Sequence, residues 1–314
     1  MITVWAPDGA PEIEPGDDLA GVVAGLVELA DGDILTVTSK VVSKAEDRIR
    51  PGTREEARPG ETHRVVARRG PTTIVRTRHG LTLAAAGIDA SNVAPGTVVL
   101  LPEDPDASAR AIRESLLART GRNVAVLVTD TAGRAWREGQ TDIAVGAAGL
   151  RVLVDLAGAV DAHGNELAVT APAVGDERAG AAELAQGKLA ARPFAVVRGR
   201  ADLVLPSGEH GTGAAGLVRP DGADLFGYGA REAVIRALRG EEKDRAAFGA
   251  PADPAELAAA IHTAAPEASA AVEDDVVIVS GGDGRTIGAL AFAFGWRPVD
   301  SPAADDLRFR PATP

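Results

Sequence analysis

The run from Val124 to Asp142, Val-Ala-Val-Leu-Val-Thr-Asp-Thr-Ala-Gly-Arg-Ala-Trp-Arg-Glu-Gly-Gln-Thr-Asp, sets an acid, hydroxyls, a glycine and two arginines directly after an apolar stretch. Asp130 and Thr131 offer hard oxygen ligands of the kind Mg²⁺ and Mn²⁺ take. Arg134 and Arg137 can grip phosphate oxygens in a bidentate way. A strand end holds side chains rigidly, and Gly133 is expected to turn the backbone for a close approach to a ligand. The same pattern also serves turns and helix caps, and both readings stand at this point.

Two further clusters carry candidate chemistry. Ser39, Lys40, Ser43 and Lys44 repeat an offset of four after an apolar run, which suits phosphate held by ammonium and hydroxyl groups. A solvated lysine face has the same spacing. Asp89 lies three residues before Asn92, so its carboxylate can share a cation with Asp130 while the Asn92 amide meets a ligand; an Asx-turn is the alternative.

Other chemistries are disfavoured. The chain has no G-x-x-x-x-G-K-[ST] phosphate loop, and Gly281-Gly282-Asp283-Gly284 does not complete the dinucleotide-binding glycine spacing. His63, His79, His163, His210 and His262 show no metal-binding pairing, and His210 sits in a Gly-rich loop expected to be flexible. Without cysteine there is neither a disulfide nor a thiolate site. A formal charge of -12 argues against a nucleic-acid partner. No leader-like N-terminus and no long apolar run is present, so a cytoplasmic protein without membrane contact is expected.

The elements that must position these groups are read from periodicity and punctuation. Asp17-Asp18 caps a helix carrying Leu19, Val22, Val23, Leu26 and Val27, and Ile34–Thr38 reads as a buried strand. A short helix is expected over Thr62–Arg69, a hairpin from Thr72–Thr77 and Leu81–Ala86, and a strand over Thr97–Leu101. A helix capped by Asp106 or Ser108 buries Ala109, Ile112 and Leu116 and stops at Gly121. Strands are expected at Val124–Val128, Leu150–Leu156, Glu166–Thr170 and Phe194–Val197, with a helix over Asp176–Leu189. Helices at Ala230–Arg239 and Pro254–Ala264 and one strand, Val276–Ser280, complete the chain, with Glu241–Pro254 a charged linker. Lacking a steady βαβα alternation, the order predicts an α+β fold. Two domains are expected, 1–240 and a C-terminal extension, 241–314.

Residues 10 to about 240 resemble the coenzyme F420-0:L-glutamate ligase family, the GTP-dependent γ-glutamyl ligases of the deazaflavin coenzyme. The resemblance rests on Ala10-Pro11-Glu12-Ile13, Pro15-Gly16-Asp17-Asp18, Thr38 to Glu46, Ala85 to Val93, Pro105 to Ala109, Thr129 to Asp142, Gly187-Lys188, Arg219-Pro220 and Asp224-Leu225-Phe226. It implies that Asp89, Asp130 and Thr131 hold divalent cations, Mg²⁺ or Mn²⁺, with K⁺ as a further ion. It implies GTP contacts from Ala10, Pro11, Glu12, Ile13, Ser39, Lys40, Lys44, Asn92, Gln186 and Lys188. It also implies an α+β fold with largely antiparallel sheets in an intertwined homodimer, the nucleotide cleft lying near the subunit interface.

The implied reaction joins L-glutamate to coenzyme F420-0 through an acyl phosphate, giving GDP and phosphate. No catalytic residue is assigned, and Glu46, Asp142 and Glu177 are equal candidates for a general base. Larger family members carry a flavin-binding, nitroreductase-like domain; residues 241–314 are too few for one, and no FMN is expected. Two rival readings remain: an amide ligase for another acid, and a nucleotide-binding subunit without turnover.

Overall fold

Continuous apolar runs such as Ile34–Val37 and Val124–Val128 suit strands covered on both faces, and the chain uses them so. The computed structural model describes residues 1–220, 223–224, 226–301 and 306–312, the Arg69 side chain aside. It forms two units, Met1–Val218 and Arg219–Pro314. In the first unit the order is β1 (Thr3–Trp5), α1 (Leu19–Leu26), β2 (Ile34–Thr38), α2 (Ser39–Ala45), β3 (Ile49–Pro51), α3 (Arg54–Glu61), β4 (Thr62–Arg69) and β5 (Thr72–Thr77). Then follow β6 (Thr82–Ala84), β7 (Thr97–Val99), α4 (Pro105–Thr120), β8 (Ala125–Arg134), β9 (Arg137–Ala148), α5 (Val174–Gln186) and β10 (Phe194–Arg198).

A five-stranded sheet, ordered β1-β10-β2-β8-β9, is the frame of this unit. Its β2–β8 pair is parallel and its other pairs antiparallel. Alternate residues serve opposite faces. Leu35, Val37, Val126, Val128, Phe194 and Val196 pack with Val23 of α1 and Ile112 and Leu116 of α4. Ile34, Ala125, Leu127 and Val197 pack with Val174 and Ala179 of α5. Smaller sheets, β3-β7 and β4-β5-β6, accompany it, so the unit is α+β with mostly antiparallel pairing.

Several expectations are corrected. Thr62–Arg69 is strand, not helix: the helix lies just upstream, where Thr53 and Glu56 form a reciprocal capping box, and β4 pairs with β5 across Gly70-Pro71. The cap of α4 is Asp104, which accepts from the Ala107 amide at 3.0 Å. Leu150–Leu156 and Glu166–Thr170 are irregular, holding only isolated bridges. Gly133 does not turn the chain: β8 runs through it to Arg134, and the reversal comes at Ala135-Trp136, with Trp136 at φ 60°.

The Gly-rich loop at His210 is pinned rather than flexible. Asp106, freed from capping duty, accepts from the amides of Ala147 and Ala214, each at 2.7 Å. The buried Arg113 guanidinium donates to the carbonyls of Leu205, Pro206 and Glu209 at 3.0, 3.0 and 2.6 Å. Gly149 is required beside it, because a Cβ there would lie 2.1 Å from Arg113 Nε.

The second unit contains α6 (Ala230–Arg239), α7 (Pro254–Ala264), β11 (Ser269–Glu273), β12 (Val276–Ser280), α8 (Gly284–Ala293), β13 (Trp296–Val299) and β14 (Asp306–Pro311). The expected single strand is thus one of four, in an antiparallel sheet ordered β11-β12-β14-β13. Leu257, Ile261, Val277, Val279, Ile287, Trp296 and Phe309 form its core. The Gly281-Gly282-Asp283 run serves α8, whose first amides, Arg285 and Thr286, donate to Asp283. Asp244 and Arg245, in the charged Glu241–Pro254 segment, are buried. Leu225 lies outside the described residues.

Removing the Arg113 guanidinium strands the buried Val124 carbonyl and the part-buried carbonyls of Leu205, Pro206 and Glu209. Arg113→Met is expected to lower stability by about 2–4 kcal/mol, read as a lower urea midpoint with an unchanged slope.

Candidate functional site

The parallel register of β2 and β8 sets Thr38 beside Thr129. Ser39 and Asp130, the next residues on each chain segment, therefore come level. The Ser39 hydroxyl donates to Asp130 Oδ1 at 3.0 Å. Lys40, one residue on, meets Asp89 Oδ2 at 2.7 Å and donates to the Ser91 hydroxyl at 2.8 Å. The first two residues of α2 thus tie together two carboxylates that lie 41 positions apart in sequence.

Asp89 is delivered by a tight path. Ala85, Ala86 and Gly87 all lie in the left-handed region, at φ 49°, 59° and 72°; for the two alanines this costs roughly 1 kcal/mol each or more. A Cβ at Gly87 would press on Leu101 at 2.9 Å, so only glycine fits. Asp89 then exchanges backbone hydrogen bonds with Val99, at 3.0 and 2.8 Å. Its carboxylate also closes an Asx-turn, accepting from the Ser91 amide at 2.8 Å, and pairs with Arg54 at 3.3 Å. The turn reading and the cation-facing reading of Asp89 are therefore compatible.

Across the hairpin, β9 bulges at Val145, so that Val128 pairs with Gly146 and Thr129 with Ala144; beyond the bulge Asp130 pairs with Ile143 and Thr131 with Asp142. The Thr131 hydroxyl donates to Asp142 Oδ1 at 2.7 Å and the Thr129 hydroxyl to Oδ2 at 3.3 Å. Lys188 reaches the same place from beyond the end of α5, where Gly187 at φ 64° caps the helix. Its Nζ lies 2.5 Å from Thr131 Oγ1, 3.2 Å from Asp142 and 3.1 Å from Glu183. Gln186, the last residue of α5, is buried, and neither of its amide atoms has a hydrogen-bond partner among the described residues.

The electrostatics separate the carboxylates. Burial pushes Asp130 up to about 7; hydrogen bonds from Ser39 and the Thr131 amide oppose the rise, while the charges of Asp142 and Asp89 add to it. Asp89 is also penalised by burial, but Lys40 and Ser91 outweigh that and bring it down to about 2. Lys188 loses to burial and gains more from Glu183 and Asp142, so its pKa is raised. Asp130 is thus a carboxylate whose ionisation would gain from a cation.

The remaining candidates are placed as follows. Lys44 is buried, against the solvated-face alternative, and pairs with Glu12. Ile13 is in the core, Ala10 packs beside it, and Pro11 is exposed. Asn92 is exposed at φ 55°. Arg134 and Arg137 face each other at the exposed hairpin tip; Arg134 lies roughly 13 Å along the strand from Asp130 at 3.3 Å per residue. Of the base candidates, Glu46 is engaged by Ser108 and the Glu103 amide, and Glu177 pairs with Arg178. A cavity of about 310 Å³ lined by Arg78, His79, Glu103 and Asp106 includes none of the proposed nucleotide or metal ligands.

The donor set fits one kind of metal. Among the described residues no group of three or more His, Cys, Asp or Glu side chains forms a cage. Mg²⁺ and Mn²⁺ commonly take one or two carboxylates and complete their shells with water and phosphate. Asp130 and Asp89 are hard donors of that type, joined through Ser39 and Lys40 on one face of β8; the Thr131 hydroxyl, also a hard donor, lies with Thr129 and Asp142 on the other face.

An α+β unit thus gathers paired carboxylates, hydroxyls and lysines around the start of one helix. The F420-0:γ-glutamyl ligase family model matches residues 9–199. A coenzyme F420:L-glutamate ligase of Methanopyrus kandleri is 40% identical over 239 residues, covering 68% of this chain and 93% of that protein. The protein of the same name in Methanothermobacter thermautotrophicus is 35% identical over 253 residues, 72% of this chain and 98% of the relative. The chain belongs to the F420-0:γ-glutamyl ligase family, and is a ligase.

Because the folded-state pKa of Asp130 lies above the ordinary value, its ionised form is penalised in the fold. The penalty is absent below about pH 4, grows as the pH rises and is complete above about 7. In metal-free protein, the stability of Asp130→Asn relative to wild type is expected to rise by up to about 1.4 kcal/mol per pH unit across that window. Urea denaturation at several pH values checks this; a pH-independent difference contradicts it.

Proposed function

We propose that this chain joins L-glutamate to coenzyme F420-0, consuming GTP through an acyl-phosphate intermediate and releasing GDP and phosphate. The observation that carries the proposal is the coincidence of family match and site: every candidate residue, from Ala10 to Lys188, falls within the matched span 9–199. The near full-length coverage of relatives named for this reaction supports the substrate class.

In this reading Lys40, Lys44 and Lys188 receive the triphosphate, with Ser39, Asn92, Gln186 and the 10–13 segment as further nucleotide contacts. Asp89, Asp130 and Thr131 are the ligands for Mg²⁺ or Mn²⁺, with K⁺ as an additional ion. The divalent cations supply charge neutralisation as the γ-phosphoryl group moves to the free carboxylate of F420-0. The lysines hold the phosphates in line, and the burial around Asp130 strengthens every charge contact there. The glutamate amine then attacks the activated carbonyl, phosphate leaves, and the amine's proton passes to solvent or a base. Orientation of the two substrates supplies much of the rate.

The chemistry is assigned to residues 1–240, with no FMN and no reductase step in residues 241–314. A cytoplasmic homodimer completes the reading. No helix of the described residues is long and apolar enough to cross a membrane.

Purified protein with GTP, Mn²⁺, L-glutamate and F420-0 is expected to release GDP and phosphate, with glutamylated F420-0 detected by mass spectrometry, only when both acceptors are present. Asp130→Asn is expected to lower kcat at least 100-fold, in line with about 2.7 kcal/mol of lost charge stabilisation. GTP consumption with a different acid and not with F420-0 contradicts the acceptor; retained activity in the variant removes Asp130 from the metal site.

A further inference from the structure

Asp142 belongs to none of the nucleotide or metal contacts proposed above, yet it is 4% exposed and two of its three side-chain partners are among them. Its Oδ1 receives both the Thr131 hydroxyl at 2.7 Å and the Lys188 ammonium at 3.2 Å. Its Oδ2 receives the Thr129 hydroxyl at 3.3 Å. We propose that Asp142 is a positioning residue that aims the Thr131 hydroxyl and the Lys188 ammonium at the cation-bound phosphates of the nucleotide. This rests on the GTP- and metal-dependent reading of the same site.

The geometry gives each contact a directional consequence. A hydroxyl that donates its proton to Asp142 turns its lone pairs away from that carboxylate, leaving them free for a cation. Lys188 stands on an exposed connection just past the left-handed Gly187, with more than half of its side chain in solvent. A lysine so placed samples many rotamers unless a fixed anion selects one. Asp142 is fixed, because it sits in the β8–β9 ladder directly opposite Thr131. The ammonium now also touches Thr131 Oγ1 at 2.5 Å. When a cation takes that oxygen, Lys188 has to leave it, and the tether to Asp142 keeps the ammonium beside the phosphates.

A carboxylate buried only for stability would have no such reach. Supporting partners of this kind typically change metal affinity or activity about 10–100-fold when removed. The test is titration of wild type, Asp142→Asn, Lys188→Met and the double variant with a non-hydrolysable GTP analogue and Mn²⁺, read by calorimetry and by Mn²⁺ electron paramagnetic resonance. Asp142→Asn is expected to weaken analogue and Mn²⁺ binding at least 10-fold with a melting temperature close to wild type. The double variant is expected to be no weaker than the worse single one, because the two residues act as one unit.

Binding by Asp142→Asn within about twofold of wild type overturns the proposal, as does a double variant whose losses multiply. A large drop in melting temperature without a change in binding also overturns it, leaving Asp142 a purely structural group. If the amide variant is not recovered folded, Asp142→Ser, which keeps one polar oxygen facing the threonine hydroxyls and removes the charge, takes its place under the same criteria. Wild type that binds the analogue and Mn²⁺ but does not glutamylate F420-0 refutes the proposed acceptor and leaves the role of Asp142 standing. Wild type that binds neither refutes both.

Discussion

The parallel pairing of β2 with β8 is the constraint on which the site depends. It sets Thr38 against Thr129, and the candidate ligands Ser39 and Asp130 come one residue later on both segments. Ser39 then meets Asp130, and Lys40 meets Asp89. A slip of one residue would exchange the faces of β8. It would turn Asp130 toward the other side of the sheet and strip Val126 and Val128 from their apolar cluster. The register is fixed because both faces of these strands are buried, so the packing that stabilises the sheet also fixes the chemistry at its end.

The charges gathered there differ in kind. Asp89 is neutralised by Lys40 and held low, whereas Asp130 is half-buried and its desolvation holds it high, close to two other carboxylates. An isolated buried carboxylate is costly, and the fold accepts the cost at this position while satisfying the neighbouring Asp142 with two hydroxyls and a lysine. A cation at Asp130 would relieve the repulsion among the three acids. It would also free Lys40 from Asp89 for a new partner. The strained Ala85-Ala86-Gly87 turn is a second local cost borne where Asp89 must be placed.

Much of this was legible in the sequence, for definite reasons. Ile34–Thr38, Ala230–Arg239, Pro254–Ala264 and Val276–Ser280 carry strong periodicity or caps, and all four appear with those bounds. Asp89, Asp130 and the lysines were visible as candidate chemistry, although their mutual contacts required the register. Thr62–Arg69 reads poorly because its strand pairing is decided by β5, a tertiary partner that local propensity does not reveal. Gly133 suggested a turn, yet nothing approaches it closely and β8 continues through it to Arg134, with the irregularity taken up on β9 between Gln140 and Arg137. The Gly-rich loop suggested mobility, because the residues that pin it, Asp106 and Arg113, lie about a hundred positions away. Asp142 was visible as one of three equal general-base candidates, and its place opposite Thr131 comes only from the β8–β9 register.

The most direct test of the account is a crystal of the protein with GDP and Mn²⁺, measured by anomalous diffraction at the manganese edge. The account predicts Mn²⁺ within about 2.5 Å of carboxylate oxygens of both Asp130 and Asp89, with Lys40 moved from Asp89 to the diphosphate. Manganese bound elsewhere, with Asp130 still joined only to Ser39 and the Thr131 amide, would contradict it.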